Sequence, residues 1–308
     1  MRATLVANPS AGRGRGQWAM KVASKALSQA GWQLQVVRTE LPGQAEAAAG
    51  EAVRQRQQTV VVVGGDGTIN EVVNALAGHQ VPLGIIPAGT GNVLARQMRL
   101  PYDPLKACRI LLSSHPDNAD LGRVLFPGGN QTCTSRYFLS MAGIGFDAQI
   151  VQAVTDAAKA RLGPWAYVLS LLREARRPKV SHLTIRVDGD EIQADAWLLV
   201  VANGASYAWH LSICPQAQMD DGLLDMSLFL ASGSAPYIQQ LLGTLLTARP
   251  FKPGMPCRRF QHLEVDADPP LLVQLDGDVC ATTPVTVDVA PQALRILMPT
   301  LRSSNRPL

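Results

Sequence analysis

The chain has 308 residues, of which 47% are hydrophobic and 17% charged, ample for a large buried core and about two domains at roughly 150 residues each. Its formal net charge is +4 and no basic run is interleaved with aromatics, which argues against a nucleic-acid module and leaves anionic lipid surfaces or phosphates as partners. Five scattered cysteines and five histidines lack the spacing of a zinc site or a disulfide framework, so reduced thiols in a cytoplasmic protein are expected.

The chain runs from Met1 straight into a strand, with no apolar signal region. The uncharged stretches near Ala196–Met219 and Met226–Ala248 are interrupted by polar residues and do not read as spanning helices. Membrane contact is therefore expected to be peripheral.

The first third alternates strand and helix. Ala3–Ala7, Leu34–Arg38, Val60–Val63 and Leu83–Pro87 read as short buried strands. Between them lie helical stripes at Trp18, Val22 and Ala26, at Ala45–Arg56, and at Ile69, Val72, Val73 and Leu76. Alternation of this kind implies a parallel, helix-covered sheet with its ligands beyond the carboxyl ends of the strands. After about Asp120 the texture becomes mostly β. Tyr137–Met141, Leu183–Val187, Ile192–Ala194, Trp197–Ala202, Asp225–Phe229, Leu271–Leu275 and Val285–Val289 read as strands. Helices are expected at Ile150–Ala160, Trp165–Arg176 and Ala235–Thr247, and glycine- or proline-rich connections at Phe126–Asn130 and Pro250–Pro256. The expected architecture is a doubly wound α/β nucleotide domain over 1–122 and a β-sandwich-like domain over 123–298. Leu294–Met298 could serve either domain, and the tail 299–308 could rejoin the first.

Three glycine-rich loops follow three strands of the first domain: Asn8-Pro9-Ser10-Ala11-Gly12-Arg13-Gly14-Arg15-Gly16, Gly64-Gly65-Asp66-Gly67-Thr68-Ile69-Asn70-Glu71, and Pro87-Ala88-Gly89-Thr90-Gly91-Asn92. Glycine lets backbone N–H groups approach phosphate oxygens, and a following helix adds its positive end. One such loop is most often a turn; three at one sheet edge point to phosphate binding. None matches a P-loop or a dinucleotide fingerprint.

The run Val-Val-Gly-Gly-Asp-Gly-Thr-Ile-Asn-Glu resembles the signature of the diacylglycerol kinase catalytic domain, shared by bacterial lipid kinases and sphingosine kinases. Further parts of that resemblance follow in order: Thr39, Ala142-Gly143-Ile144-Gly145-Phe146-Asp147, Leu162-Gly163-Pro164-Trp165, Asp221-Gly222-Leu223 and Leu275-Asp276-Gly277-Asp278. The resemblance implies a lipid kinase using ATP and Mg²⁺. It implies that Asn8, Pro9, Ser10, Ala11, Gly12, Thr39, Gly65, Asp66, Gly67, Thr68, Ile69, Asn70, Glu71 and Thr90 hold ATP, with Asp66 in a magnesium network beside the phosphates. One of Asp276 and Asp278 would be the general base toward a lipid hydroxyl, and Asp221 would bind a structural Mg²⁺ with the carbonyls of Gln218 and Leu223. It also allows a homodimer.

Read without the resemblance, Asp276-Gly277-Asp278 is a hairpin turn, as Asp188-Gly189-Asp190 is. Basic residues at Arg13, Arg161 and the cluster Arg173, Arg176, Arg177, Lys179 read either as phosphate or membrane contacts or as solvated charges. Two departures from the family pattern stand out: Val93 where many relatives carry Asp, and Tyr207-Ala208-Trp209-His210 in place of a glycine-rich stretch. Two other readings are a soluble-substrate kinase of the NAD kinase type and a non-catalytic nucleotide or lipid sensor.

Overall fold

The computed structural model describes residues 1–127, 133–155, 158, 161–163, 165–175, 179–205, 212–233, 243 and 257–298. The expected feature at Tyr207–His210, the connection Pro250–Pro256, the tail 299–308, Pro164, Arg176 and Arg177 lie outside these residues, as does the helix expected at Ala235–Thr247 apart from Gly243. The chain divides into two compact units, Met1–Ala119 with the chain from Gln292 onward, and Asp120–Pro291.

The first unit opens with β1 (Arg2–Ala7), α1 (Ala11–Gln29), β2 (Gln33–Arg38), α2 (Gln44–Arg54), β3 (Thr59–Gly64), α3 (Asp66–Leu76) and β4 (Leu83–Pro87). Two shorter helices, α4 (Val93–Gln97) and α5 (Pro104–Ser113), follow. The strands pair in parallel in the order β4-β3-β1-β2. Every residue of β3 is buried, as an apolar run covered on both faces requires. The helices supply that cover in two groups, α1 with α5 and α2 with α3. The core joins Leu5, Ala19, Ala23 and Leu27 to Val61, Val63, Ile86 and Leu111. Because all these strands are parallel, their carboxyl ends place every glycine-rich loop at one edge.

The second unit is β-rich. Its strands are β5 (His115–Pro127), β6 (Cys133–Phe138), β7 (Met141–Gly145), β8 (Ser181–Val187), β9 (Asp190–Ala202), β10 (Leu224–Leu230), β11 (Arg258–Phe260), β12 (His262–Asp268), β13 (Leu272–Leu275), β14 (Asp278–Thr282) and β15 (Val285–Met298). Helices α6 (Phe146–Ala153) and α7 (Trp165–Glu174) interrupt them. β9 changes partners along its length. Asp190–Ala196 pairs with β8, while Ala196–Ala202 runs between β7 and β10. A strand that switches neighbours in this way builds a sandwich from one continuous chain. Trp197, on β9, packs edge-on against Phe146 and Phe229 at ring-centre distances of 5.0 and 5.7 Å.

The structure corrects several strand expectations. Tyr137–Met141 is not one strand: β6 ends at Phe138, Leu139 and Ser140 bend, and β7 starts at Met141. Ile192–Ala194 and Trp197–Ala202 are both parts of β9, and Val285–Val289 and Leu294–Met298 are both parts of β15. The end of β15 pairs with β4 through Ile296 and Leu83, so Gln292–Met298 belongs to the first unit. β5 and β12 were not anticipated. The buried Leu263, Val265 and Ala267 of β12 alternate with charged neighbours, a strand pattern masked by its polar face. No described helix is long and apolar enough to cross a membrane. Cys108, Cys214, Cys257 and Cys280 are free thiols.

A charge ladder crosses the exposed face of the second unit. Arg123 meets Asp288 at 2.9 Å, Asp288 meets His262 Nδ1 at 2.7 Å, and Arg186 reaches Glu191 and Glu264 at 3.1 and 3.3 Å. The hydrogen bond to Asp288 raises the His262 pKa above its ordinary value, against a smaller opposing effect of burial. A raised folded-state value stabilises fully below the unfolded pKa of about 6.5 and is lost as pH climbs through the folded value. His262 is half exposed, so the contribution is small, about 0.5 kcal/mol. His262→Gln should therefore lower stability in urea titrations at pH 5.5 and match the parent at pH 9. An equal deficit at both pH values would assign the effect to packing.

Candidate active site

At the carboxyl edge of the first unit, three loops interlock through glycine. The Asn8 N–H donates to the Val63 carbonyl at 2.9 Å, which anchors the first loop on β3. Asn8 Oδ1 accepts from the Ser10 N–H at 3.0 Å and the Ser10 hydroxyl at 2.7 Å, closing a turn. Gly12, Arg13 and Gly14 then all take left-handed conformations before the regular turns of α1 begin. Arg13 carries a side chain in that region, a strained state that persists only where its surroundings enforce it. A Cβ on Gly12 would collide with the Ala88 carbonyl, and one on Gly89 would collide with the Gly65 backbone. One on Gly91 would come within 2.8 Å of Asp66 Oδ2. The Ala88 and Gly89 N–H groups both donate to the Gly64 carbonyl, at 2.8 and 3.2 Å.

The first turn of α3 opens at Asp66, with Gly67 and Thr68 contributing N–H groups that no helical carbonyl can satisfy. The Thr39 N–H and hydroxyl both reach the Ala7 carbonyl, at 2.8 and 3.3 Å, and Thr90 is exposed on the third loop. This edge offers glycine-lined backbone and a helix N-terminus, the features that bind phosphate. Two expected nucleotide residues also have structural work. Ile69 is part of the buried stripe of α3, and Glu71 Oε2 accepts from the Ala45 N–H at 2.9 Å, closing the start of α2. Asn70 Oδ1 accepts from Asn74 at 3.0 Å. Sequence reading gave no role to Asn92. Its Nδ2 donates to the Gly89 carbonyl at 2.8 Å, and its Oδ1 is buried without a hydrogen-bond partner.

In the second unit, the β13–β14 hairpin turns at Asp276 and Gly277, with φ of 49° and 94°. That pair of positive φ values is the two-residue turn that matches strand twist. The Asp276 carboxylate accepts three backbone N–H groups: Leu139 at 2.7 Å, and Ser140 and Met141 at 2.9 Å each. This explains the break between β6 and β7. The β8–β9 hairpin repeats the design. Asp188 and Gly189 have φ of 49° and 96°, and the Asp188 carboxylate accepts from Gln261 N–H at 3.1 Å and His262 N–H at 2.9 Å. In both Asp-Gly-Asp hairpins, the first aspartate latches the turn to a neighbouring segment. The second aspartate opens the following strand in each: Asp190, paired with Arg258, begins β9, and exposed Asp278 begins β14. Gln274 secures the Asp276 turn from beneath. Its Oε1 accepts from the Gly277 N–H at 2.7 Å and its Nε2 donates to Asp147 Oδ2.

The latch continues into the loop that carries Asp221. Buried Asn203 donates to the Leu139 carbonyl at 2.7 Å and the Asp120 carbonyl at 2.8 Å. Asp120 Oδ2 accepts from the Gly222 N–H at 2.7 Å. Asp221 Oδ1 accepts from the Leu223 N–H at 3.2 Å, while its Oδ2 is buried with no hydrogen-bond partner. An unsatisfied buried carboxylate oxygen suits a cation. Nearby, burial raises the Asp225 carboxyl pKa, Arg259 opposes the shift and Asp221 adds to it. No group of three or more His, Cys, Asp or Glu side chains is placed to hold a metal among the described residues, so any ion here would depend on carbonyl oxygens as well. A cavity of about 680 Å³, lined by Leu125, Arg186, Glu264 and Thr286 among others, holds none of the candidate site residues.

Residues 2–124 match the diacylglycerol kinase catalytic domain, and residues 140–298 match the YegS C-terminal NAD kinase beta sandwich-like domain. A diacylglycerol kinase of Mycobacterium tuberculosis is 33% identical over 251 residues, covering 80% of this chain and 79% of its own. The chain belongs to the diacylglycerol kinase family. A diacylglycerol kinase of Staphylococcus aureus is 29% identical over 236 residues, covering 76% of this chain and 72% of its own. The fold is shared with a crystal structure of a diacylglycerol kinase from Bacillus anthracis str. Sterne, at TM-score 0.76 and 23% identity over 96% of each chain. It is shared more distantly with a yeast NADH kinase, at TM-score 0.51 and 10% identity.

As a diacylglycerol-kinase-like lipid kinase, the chain keeps its phosphate-type loops in one unit and the Asp276–Asp278 hairpin and Asp221 loop in the other. Sequence reading missed Asp120, Asn203 and Gln274, which carry no motif of their own. The hairpin geometry predicts unequal costs. Asp276→Ala strips three charge-assisted hydrogen bonds and should lower stability by about 2–3 kcal/mol. Asp278→Ala, at an exposed site, should change it by no more than about 0.5 kcal/mol. Urea unfolding of both variants checks this, and equal losses would contradict the division of labour between the two carboxylates.

Proposed function

We propose that this lipid kinase transfers the γ-phosphate of ATP, with Mg²⁺, to a hydroxyl of a diacylglycerol-like lipid such as diacylglycerol, phosphatidylglycerol or a sphingoid base. The observation that carries the reading is the glycine contact among the three loops at the carboxyl ends of β1, β3 and β4. Side chains are excluded there, so that backbone N–H groups and the start of α3 can face phosphate. Asn8, Pro9, Ser10, Ala11, Gly12, Thr39, Gly65, Gly67, Thr68 and Thr90 would surround the nucleotide. Asp66 would help hold Mg²⁺ beside the phosphates. Bound Mg²⁺ would neutralise phosphate charge, which phosphoryl transfer needs more than covalent chemistry. Asp221, with its unsatisfied buried oxygen and the carbonyls of Gln218 and Leu223, would hold a second, structural Mg²⁺.

The general base is assigned to Asp278. Asp276 spends its carboxylate on three backbone N–H groups and acts as a positioning residue. Asp278 takes the hydroxyl proton, the lipid oxygen forms a bond to the γ-phosphorus, and the bond to the bridging oxygen breaks, releasing ADP. The products are a lipid phosphate monoester and ADP, and the proton passes from Asp278 to solvent.

Transfer of label from γ-labelled ATP into mixed micelles with a panel of hydroxyl lipids, with and without Mg²⁺, tests this. Magnesium-dependent label in one lipid is the expected result, and it names the acceptor. Label in NAD and in no lipid would favour the NAD kinase type of reaction. ATP binding with no transfer to any acceptor would favour a sensor, with Val93 the first residue to return to Asp. Asp278→Asn should cut turnover about 100-fold or more with ATP binding intact, since a positioned base contributes roughly 10²–10⁴. Asp66→Ala should lose on the order of 100-fold through lost charge stabilisation. Parent-like turnover in either variant removes that residue from the catalytic set.

A further inference from the structure

Helix α7 has an outward face opposite in character to what a surface helix normally shows. Its buried side carries Ala166, Val168, Ser170 and Leu171, with the Ser170 hydroxyl donating to the Ile150 carbonyl at 2.9 Å. Leu171 packs in the core with Phe146, Ile150 and Trp197. The side turned to solvent should then be polar. Instead, its exposed positions are Trp165, Leu169, Leu172 and Arg173. Trp165 is 59% exposed, Leu169 53% and Leu172 45%. Spaced four and three residues apart, the three fall within about 60° of one another around the helix axis. Leu162, 42% exposed just before the Gly163 turn, extends the apolar run.

Cations border this apolar ridge. Arg161 precedes it, Arg173 shares the exposed face, and Lys179 follows, all exposed. Leucine side chains led by a tryptophan and edged by Arg and Lys form the pattern of an interfacial helix lying in the plane of a membrane. Tryptophan suits the headgroup level and the cations suit anionic lipid. A second copy of the chain is a poorer occupant. The ridge offers on the order of 400 Å² of apolar surface, against about 800 Å² per partner in a standard interface.

We propose that the Trp165–Leu169–Leu172 ridge of α7, with Leu162 and the flanking Arg161, Arg173 and Lys179, docks the enzyme on bilayers that contain anionic lipid. The inference rests on the lipid-kinase reading, which supplies the reason for docking: a substrate whose acyl chains stay in the membrane. It also gives α7 a task that the phosphate loops and the Asp276–Asp278 hairpin do not perform.

The test uses the full chain and the triple variant Trp165→Gln, Leu169→Gln, Leu172→Gln. Sedimentation with vesicles of phosphatidylcholine and phosphatidylglycerol should show a partition coefficient at least about tenfold lower for the variant, because each lost side chain removes apolar burial. Thermal midpoints should match, since all three side chains face solvent. Transfer to a short-chain diacylglycerol dispersed below its aggregation limit should be unchanged, while transfer to vesicle-embedded diacylglycerol falls with partition. Unchanged partition overturns the proposal, as does a parent dimer that becomes monomeric in the variant with vesicle binding retained. The single variant Leu169→Glu, read by the same sedimentation, settles the matter if the triple variant fails to fold, since it removes apolar burial and repels anionic lipid. Absence of transfer to both dispersed and embedded lipid in the parent would instead sink the kinase reading. The partition result stands apart from that outcome.

Discussion

The second unit depends on one carboxylate. Asp276 draws the N–H groups of Leu139, Ser140 and Met141 onto its two oxygens, and this single set of bonds fixes three things together. It ends β6 and starts β7 after a two-residue bend. It sets the orientation of the hairpin whose next residue but one is Asp278. Through Asn203 and Asp120 it connects the same segment to the loop of Asp221. A carboxylate surrounded by backbone donors stabilises what it touches more than a neutral acceptor could. The matching hairpin at Asp188 shows that the latch is a structural device used twice. The proposed general base, Asp278, stands two residues beyond Asp276 in the β13–β14 hairpin.

The first unit rests on a steric constraint rather than a charge. Its three loops approach so closely that Gly12, Gly65 and Gly89 admit no Cβ without displacing backbone. Closeness of that order exposes main-chain N–H groups beside the opening turn of α3 and its dipole, the features on which the proposed phosphate site rests. The left-handed Arg13 within the first loop marks where that compression is absorbed. The outward ridge of α7 adds a third kind of surface, apolar where the others are polar, and suited to a lipid acceptor.

Much of this was legible in the sequence because local signals carried it. The four β-branched residues Val60–Val63 followed by Gly64-Gly65-Asp66-Gly67 announce a buried strand and a phosphate loop within ten residues. The Asp188-Gly189 turn and the parallel first domain followed from the same local rules. The rest depends on contacts far apart in the chain. Nothing near Leu139 foretells a bend, because its cause lies 137 residues later at Asp276. Asp120 and Asn203 look like ordinary loop residues until folding brings them onto the segments they bridge. β5 contains Asp117, Asn118, Asp120 and Gly122, residue types depleted in strands, and forms because pairing with β6 and β15 overrides propensity. The equivalence of Asp276 and Asp278, open in the sequence, is broken only by which of them the backbone surrounds.

Hydrogen exchange at the Leu139, Ser140 and Met141 amides tests that asymmetry most directly, compared among the parent, Asp276→Asn and Asp278→Asn. The account predicts that exchange at these three amides accelerates sharply in Asp276→Asn and stays at parental rates in an inactive Asp278→Asn. Acceleration in Asp278→Asn, or protection retained in Asp276→Asn, would contradict it.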